Sequence, residues 1–197
     1  MKMNNNIIVI DLETTADIHQ DITEIGAVAL DRDLKIVDTF KTLINIKRPV
    51  DEKSQLITGI TDGMLAKAPD KENALTEFVS FVERQGNIKQ ARIAAWGNYF
   101  DINILRRNLI PYLFSGTAID VKTLAFLWAS LSNNRTDKLS VQYVSEDLMG
   151  IKSPTGDESY HRALPDALQT AYILQRIFKD FGNGVFLSNG QYVNIKL

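Results

Sequence analysis

The apolar positions of the chain follow two periods, and their order sketches a fold. Ile7-Ile8-Val9-Ile10 is an unbroken, mostly β-branched run, the pattern of a strand buried on both faces. Glu24 to Leu30 has the same character. After the Asp31-Arg32-Asp33 turn, Lys35 to Ile44 places Ile36, Thr39 and Phe40 at β-favouring positions. Three strands with short links predict an antiparallel meander. Ile57 to Gly63 reads as turn-rich backbone with glycines at tight points. The period then changes. Leu75, Phe78, Val79 and Val82 recur at helical spacing and predict an amphipathic helix over Lys71 to Arg84, laid on the sheet.

Strand signals return at Arg92 to Trp96 and at Ile119-Asp120-Val121, each followed by a helical stretch, Asp101 to Leu109 and Thr123 to Leu131. Leu139 to Met149 predicts another helix, Ser153 to Tyr160 a loop, and Pro165 to Phe178 the last long helix. A meander followed by alternating strands and helices is an α/β pattern. Around Asn189-Gly190 the tail predicts a two-residue hairpin, too small to stand alone, which must pack on the domain or on a partner. The expected organisation is one domain over residues 1–182 with a hairpin tail over 183–197.

Composition removes several chemistries. A chain of 197 residues, 45% hydrophobic and 23% charged, suits a single core. Without cysteine there are no disulfides, thiolate sites or cysteine nucleophiles, and with only His19 and His161 a multi-histidine zinc site is excluded in practice. The polar start, Met1 to Asn6, does not resemble a signal peptide, and no window approaches a membrane span, so a soluble, cytoplasmic protein without a membrane partner is expected. A net charge of −2 argues against a broadly basic nucleic-acid coat. Carboxylates that hold metal ions nevertheless count as negative in such a sum.

The candidate chemistry begins where the first strand ends, at Asp11-Leu12-Glu13-Thr14-Thr15. Alternate residues of a strand share a face, so Asp11 and Glu13 point the same way and repel each other. A divalent cation between them removes that conflict, and hard oxygen ligands suit Mg²⁺ or Mn²⁺. Taken alone, the tripeptide fits a solvated polar strand end at least as well. Asp101 and Asp166 each open a helix, where an acid also serves as a cap or meets the helix dipole. His161 stands five residues before Asp166.

Taken together, Asp11-Leu12-Glu13-Thr14-Thr15, Phe100-Asp101-Ile102-Asn103-Ile104-Leu105 and His161-Arg162-Ala163-Leu164-Pro165-Asp166 resemble the DEDDh (DnaQ-like) family of 3′→5′ exonucleases. Ile22 to Val28, Leu56 to Thr61 and Asp120 to Leu124 resemble further segments of that family, so the likeness runs from Ile7 to Phe178. His-x-Ala-x-x-Asp is its most specific piece. The resemblance implies an RNase H-like fold: a mixed five-stranded sheet, antiparallel over the first three strands and then parallel, flanked by helices. It also implies two Mg²⁺ (or Mn²⁺) ions held by Asp11, Glu13, Asp101 and Asp166, with Asp101 acting mainly through water and His161 as general base. An imidazole can take a proton from water at neutral pH.

The implied substrate is single-stranded nucleic acid with a free 3′ end. Thr14 and Thr15 could meet the terminal 3′ hydroxyl, or serve strand-to-loop hydrogen bonds. Tyr99 and Phe100 could stack on a terminal base, with core packing as the alternative for Phe100. Arg162 is a candidate phosphate contact, along with Arg106, Arg107, Arg135 and Lys138. Two departures bear on substrate: Thr15 stands where many members have Gly, and Trp96-Gly97-Asn98-Tyr99 replaces a His-Asn stretch. The second leans slightly to RNA over DNA. A DNA-polymerase-associated proofreading enzyme and a non-catalytic adaptor of the same fold are the alternatives. A homodimer, a polymerase or an RNA-processing protein are the partners this suggests.

Overall fold

Because Ile7 to Ile10 offer apolar side chains to both sides, the strand they form belongs in the middle of a sheet, and it lies there. In the computed structural model, which describes residues 6–86, 91–97, 100–108, 118–153 and 161–182 and the backbone of 185–188 and 191–194, β1 (Ile7–Thr14) is the central strand. β2 (Ile22–Leu30) pairs with it antiparallel, and β3 (Ile36–Leu43) extends the meander. On the other side β4 (Arg92–Ala95) pairs parallel with β1, and β5 (Ile119–Asp120) parallel with β4. The order β3-β2-β1-β4-β5 is the mixed RNase H-like sheet.

The connection from β3 differs from its sequence expectation. The turn-rich stretch holds two short helices, α1 (Glu52–Thr58) and α2 (Asp62–Leu65). Asp51 caps the first by accepting the Ser54 N–H, and Thr61 caps the second. Gly59, at φ 68°, ends α1 in the left-handed conformation that glycine tolerates. α3 (Lys71–Arg84) follows with the expected boundaries, then α4 (Asp101–Asn108), α5 (Val121–Leu131) and α6 (Ala163–Gly182). Between α5 and α6 the expected helix is mostly a π-helical turn, Tyr143–Leu148. Its wider backbone carries the buried Ser145, whose hydroxyl donates to the Gln142 carbonyl and accepts from Gln169 Nε2 at 2.8 Å.

The sheet separates two apolar layers. Ile8, Ile10 and Leu12 face α3 and α4, where Phe78 and Phe81 are fully buried and pack with Phe40. Ile7 and Val9 face α5 and α6, among Val121, Trp128, Ala171 and Leu174. Trp128 is buried, its indole N–H donating to Asp180 at 2.9 Å, while Trp96 packs part-buried at the edge of the same layer. The hairpin strands β6 (Val185–Ser188) and β7 (Gln191–Asn194) form a separate two-stranded sheet, with β6 running against α5 and α6. Among the described residues no helix is long and apolar enough to cross a membrane.

Candidate active site

The side-chain alternation that puts Ile7 and Val9 towards α6 also sends Asp11 and Glu13 to that face, at the carboxyl end of β1. α6 meets them with Asp166 in its first turn. Carboxylate oxygens of Asp11, Glu13 and Asp166 all lie within 4.8 Å of one another. The fourth acid arrives from the opposite layer. Asp101 opens α4, is 7% exposed, and its carboxylate accepts the backbone N–H of Leu12, between the two β1 acids. Two parallel strands thus end beside the cluster, a usual place for a site in an open α/β sheet.

A fifth acid, absent from the sequence expectation, completes the arrangement. The β1–β2 register sets Asp11 opposite Gly26 and Glu13 opposite Glu24. Glu24 is 3% exposed, and its carboxylate accepts Arg162 Nη2 at 2.6 Å, Arg162 Nε at 2.9 Å and the Ala163 N–H at 3.0 Å. Its signal in the sequence is an acid inside a strand that otherwise reads as apolar, Ile22-Thr23-Glu24-Ile25-Gly26.

Burial and crowding make this cluster costly to ionise. Desolvation pushes Glu13 up to about 8, with the charges of Asp166, Glu24 and Asp101 adding to it and Arg162 opposing. Desolvation also raises Asp101 and Asp166 to about 7, the latter aided by Glu24. Asp11 is raised well above the ordinary carboxylate range by desolvation and then by Asp101, Asp166, Glu13 and Glu24. A donor set made only of carboxylate oxygens, converging and held against its own repulsion, fits a hard divalent cation.

Comparison with known proteins places this geometry. A family model described as Exonuclease (RNase_T) matches residues 8–174. The chain belongs to the exonuclease family. One relative, the PolC-type DNA polymerase III of Thermotoga petrophila, is 33% identical over 178 residues, which is 88% of this chain and 12% of the polymerase. The chain spans only 11–12% of the length of three PolC-type relatives that it matches. Among solved structures, the nuclease domain of 3′hExo, a DEDDh family member bound to rAMP, superposes with TM-score 0.73 at 19% identity, over 91% of this chain and 95% of that one. Exonuclease X in complex with 5′ overhanging duplex DNA gives TM-score 0.66 at 26% identity, over 89% and 93%.

Around these acids, the other candidate residues are placed unequally. Thr14 ends β1 part-buried, just after a register irregularity between Glu13 and Thr14. Thr15 is 1% exposed and engaged within its own loop: its hydroxyl donates to Asp17 Oδ1 at 2.8 Å and accepts the Asp21 N–H at 2.9 Å, and its N–H donates to the Asp21 carbonyl. Arg48 ties the same loop together through Asp17 and Asp21. Phe100 is 47% exposed, so its ring stands outside the core beside Asp101. Tyr99 lies outside the described residues. His161 is exposed and directly precedes Arg162, whose Nε and Nη2 are both turned to Glu24. Of the other cations, Arg135 pairs with Asp137 and Arg107 reaches Gln20.

Two predictions arise here. The metal-free protein holds protons on acids that an unfolded chain loses near pH 4. Folded carboxylate pKa values raised to about 7 and 8 mean that the folded state binds more protons across roughly pH 4 to 8. Its stability is therefore fullest below that window and falls as pH rises through it. Added Mn²⁺ should raise Tm by roughly 5–10 °C at pH 8.5, at about a hundredfold excess over Kd, and far less at pH 5.5. Melting curves at both pH values, with and without EDTA, check this. Separately, a Cβ on Gly26 would lie 2.1 Å from the Ala163 carbonyl carbon and 2.3 Å from Leu164 N. Gly26→Ala should therefore destabilise the fold by about 3 kcal/mol or more in a urea melt, since backbone must move to admit it.

Proposed function

We propose that this chain is a metal-dependent 3′→5′ exonuclease that removes nucleoside 5′-monophosphates one at a time from the 3′ end of single-stranded nucleic acid. The observation that carries the proposal is the convergence of Asp11, Glu13 and Asp166, with Asp101 set behind them through Leu12. These four acids would hold two Mg²⁺ or Mn²⁺ ions, Asp101 mainly through water. Bound there, the ions would supply positive charge for the transition state and a more acidic water.

The remaining work is assigned to side chains of the chain itself. His161, exposed two residues before α6, takes a proton from the attacking water through an imidazole nitrogen. The water oxygen bonds to phosphorus and the P–O3′ bond breaks. The departing 3′ oxygen takes a proton from solvent water and becomes the new terminal hydroxyl. Thr14 borders the position of that terminus, and the half-exposed Phe100 ring offers a face to an unstacked base. Stacking of this kind needs bases free of a partner strand, which favours single-stranded ends.

A second reading is supported by the relatives. PolC-type polymerases carry a matching segment within far longer chains, and this favours a DNA-directed proofreading role beside a polymerase. Hydrolysis of matched RNA and DNA single strands, and of a mispaired DNA primer–template, separates the two. Faster trimming of RNA supports the preference suggested by Trp96 and its neighbours. Preference for the mispaired primer end supports proofreading. Inertness towards all three would end both readings.

A further inference from the structure

We propose that Glu24 is a positioning residue: with Gly26 it forms a seat on β2 that holds the first turn of α6, and so sets Asp166 against the β1 acids. This rests on the exonuclease reading above and adds to it a residue outside the DEDDh set. β2 is buried along its whole length, and a carboxylate there is costly unless both oxygens are engaged. They are. One accepts Arg162 Nη2, and the other accepts Arg162 Nε and the Ala163 N–H. Such a two-pronged contact fixes direction as well as distance.

The seat leads directly into the site. The Arg162 carbonyl accepts the Asp166 N–H at 3.1 Å, closing the first turn that carries the ligand acid. Gly26, opposite Asp11 in the sheet, has no Cβ, and the Ala163 backbone occupies the space one would fill. Glu24 and Gly26 lie on the face shared by Glu13 and Asp11, so the strand holding two ligands is paired with the strand that receives the helix holding the third. An apolar pair of similar volume could support folding equally well. What the ion pair adds is a fixed height and rotation for α6. It also gives Arg162 a duty other than gripping substrate phosphate, because two of its donor nitrogens are turned inward.

The test compares Glu24→Gln, Arg162→Lys and the double variant with the wild-type chain, reading kcat and KM on a 5′-labelled oligonucleotide, Mn²⁺ affinity by EPR, and Tm. Residues supporting metal ligands typically change affinity or activity by about 10–100-fold, so each single variant should lose roughly tenfold or more in kcat with KM within about threefold. Glu24→Gln should also weaken Mn²⁺ binding by about tenfold. The double variant should lose little beyond either single one, since both break the same contact. Arg162 is one-third exposed, so Arg162→Lys keeps the question answerable if Glu24→Gln fails to fold. Unchanged kcat and Mn²⁺ affinity would overturn the proposal. So would a raised KM at constant kcat in Arg162→Lys, which would mark a phosphate contact instead. An inactive wild-type chain would refute the exonuclease reading alone, because the Mn²⁺ measurement still tests the seat.

Discussion

Asp11→Asn is expected to abolish exonuclease activity and, at pH 8 without metal, to make the protein more stable. The two effects have one cause. Burial first, and then the charges of Asp101, Asp166, Glu13 and Glu24, hold the Asp11 carboxyl well above the ordinary range. The amide matches the carboxylate in size while removing a charge from the crowd, so the repulsion relaxes and the packing stays. The carboxylate that faces both Glu13 and Asp166, and that would hold the metal with them, is lost with that charge. Metal-supplied stabilisation of a phosphoryl transition state is worth several kcal/mol, so kcat should fall on the order of 10³-fold or more. Tm without metal should rise, and the increase in Tm on adding Mn²⁺ should shrink. A variant that stays active, or that unfolds, would contradict the role given to Asp11.

His161→Ala should separate proton transfer from metal binding. The imidazole is exposed and lies outside the Asp11–Glu13–Asp166 cluster, so its loss should leave Tm and Mn²⁺ affinity near wild type. A positioned general base contributes about 10²–10⁴-fold, and kcat should fall by that amount with KM little changed. Retained turnover would remove His161 from the mechanism.

The parts of the molecule that could be read from sequence are those where a single period or motif governs. β1 and α3 carry clean signals, four apolar residues in a row and a 3.6-residue stripe, and both lie where those signals put them. α1 and α2 were hidden because seven and four residues are too short for helical periodicity to emerge. Their caps, Asp51 three residues before Ser54 and Thr61 three before Met64, were the available signal. The π-helical turn depends on a buried partner, Gln169, twenty-four residues away, which no local pattern reports. Asp11, Glu13, Asp101 and Asp166 were singled out by their motifs taken together, because each alone fits a strand end or a helix cap, and the fold brings Asp11, Glu13 and Asp166 to one place. Glu24 was missed because its partner, Arg162, is 138 residues distant, and only the sheet register reveals that Glu24 lies beside Glu13. For the same reason Arg162 was read as a phosphate contact, whereas Thr15, whose partners Asp17 and Asp21 lie in its own loop, follows the strand-to-loop alternative that its sequence offered.

The most direct test is digestion of one sequence, as a 5′-labelled linear strand and as a closed circle, with Mg²⁺ or Mn²⁺ and with Asp11→Asn in parallel. The expected result is a ladder shortening from the 3′ end of the linear strand, an intact circle, and no products from the variant. Cleavage of the circle, or a ladder that survives Asp11→Asn, would contradict it.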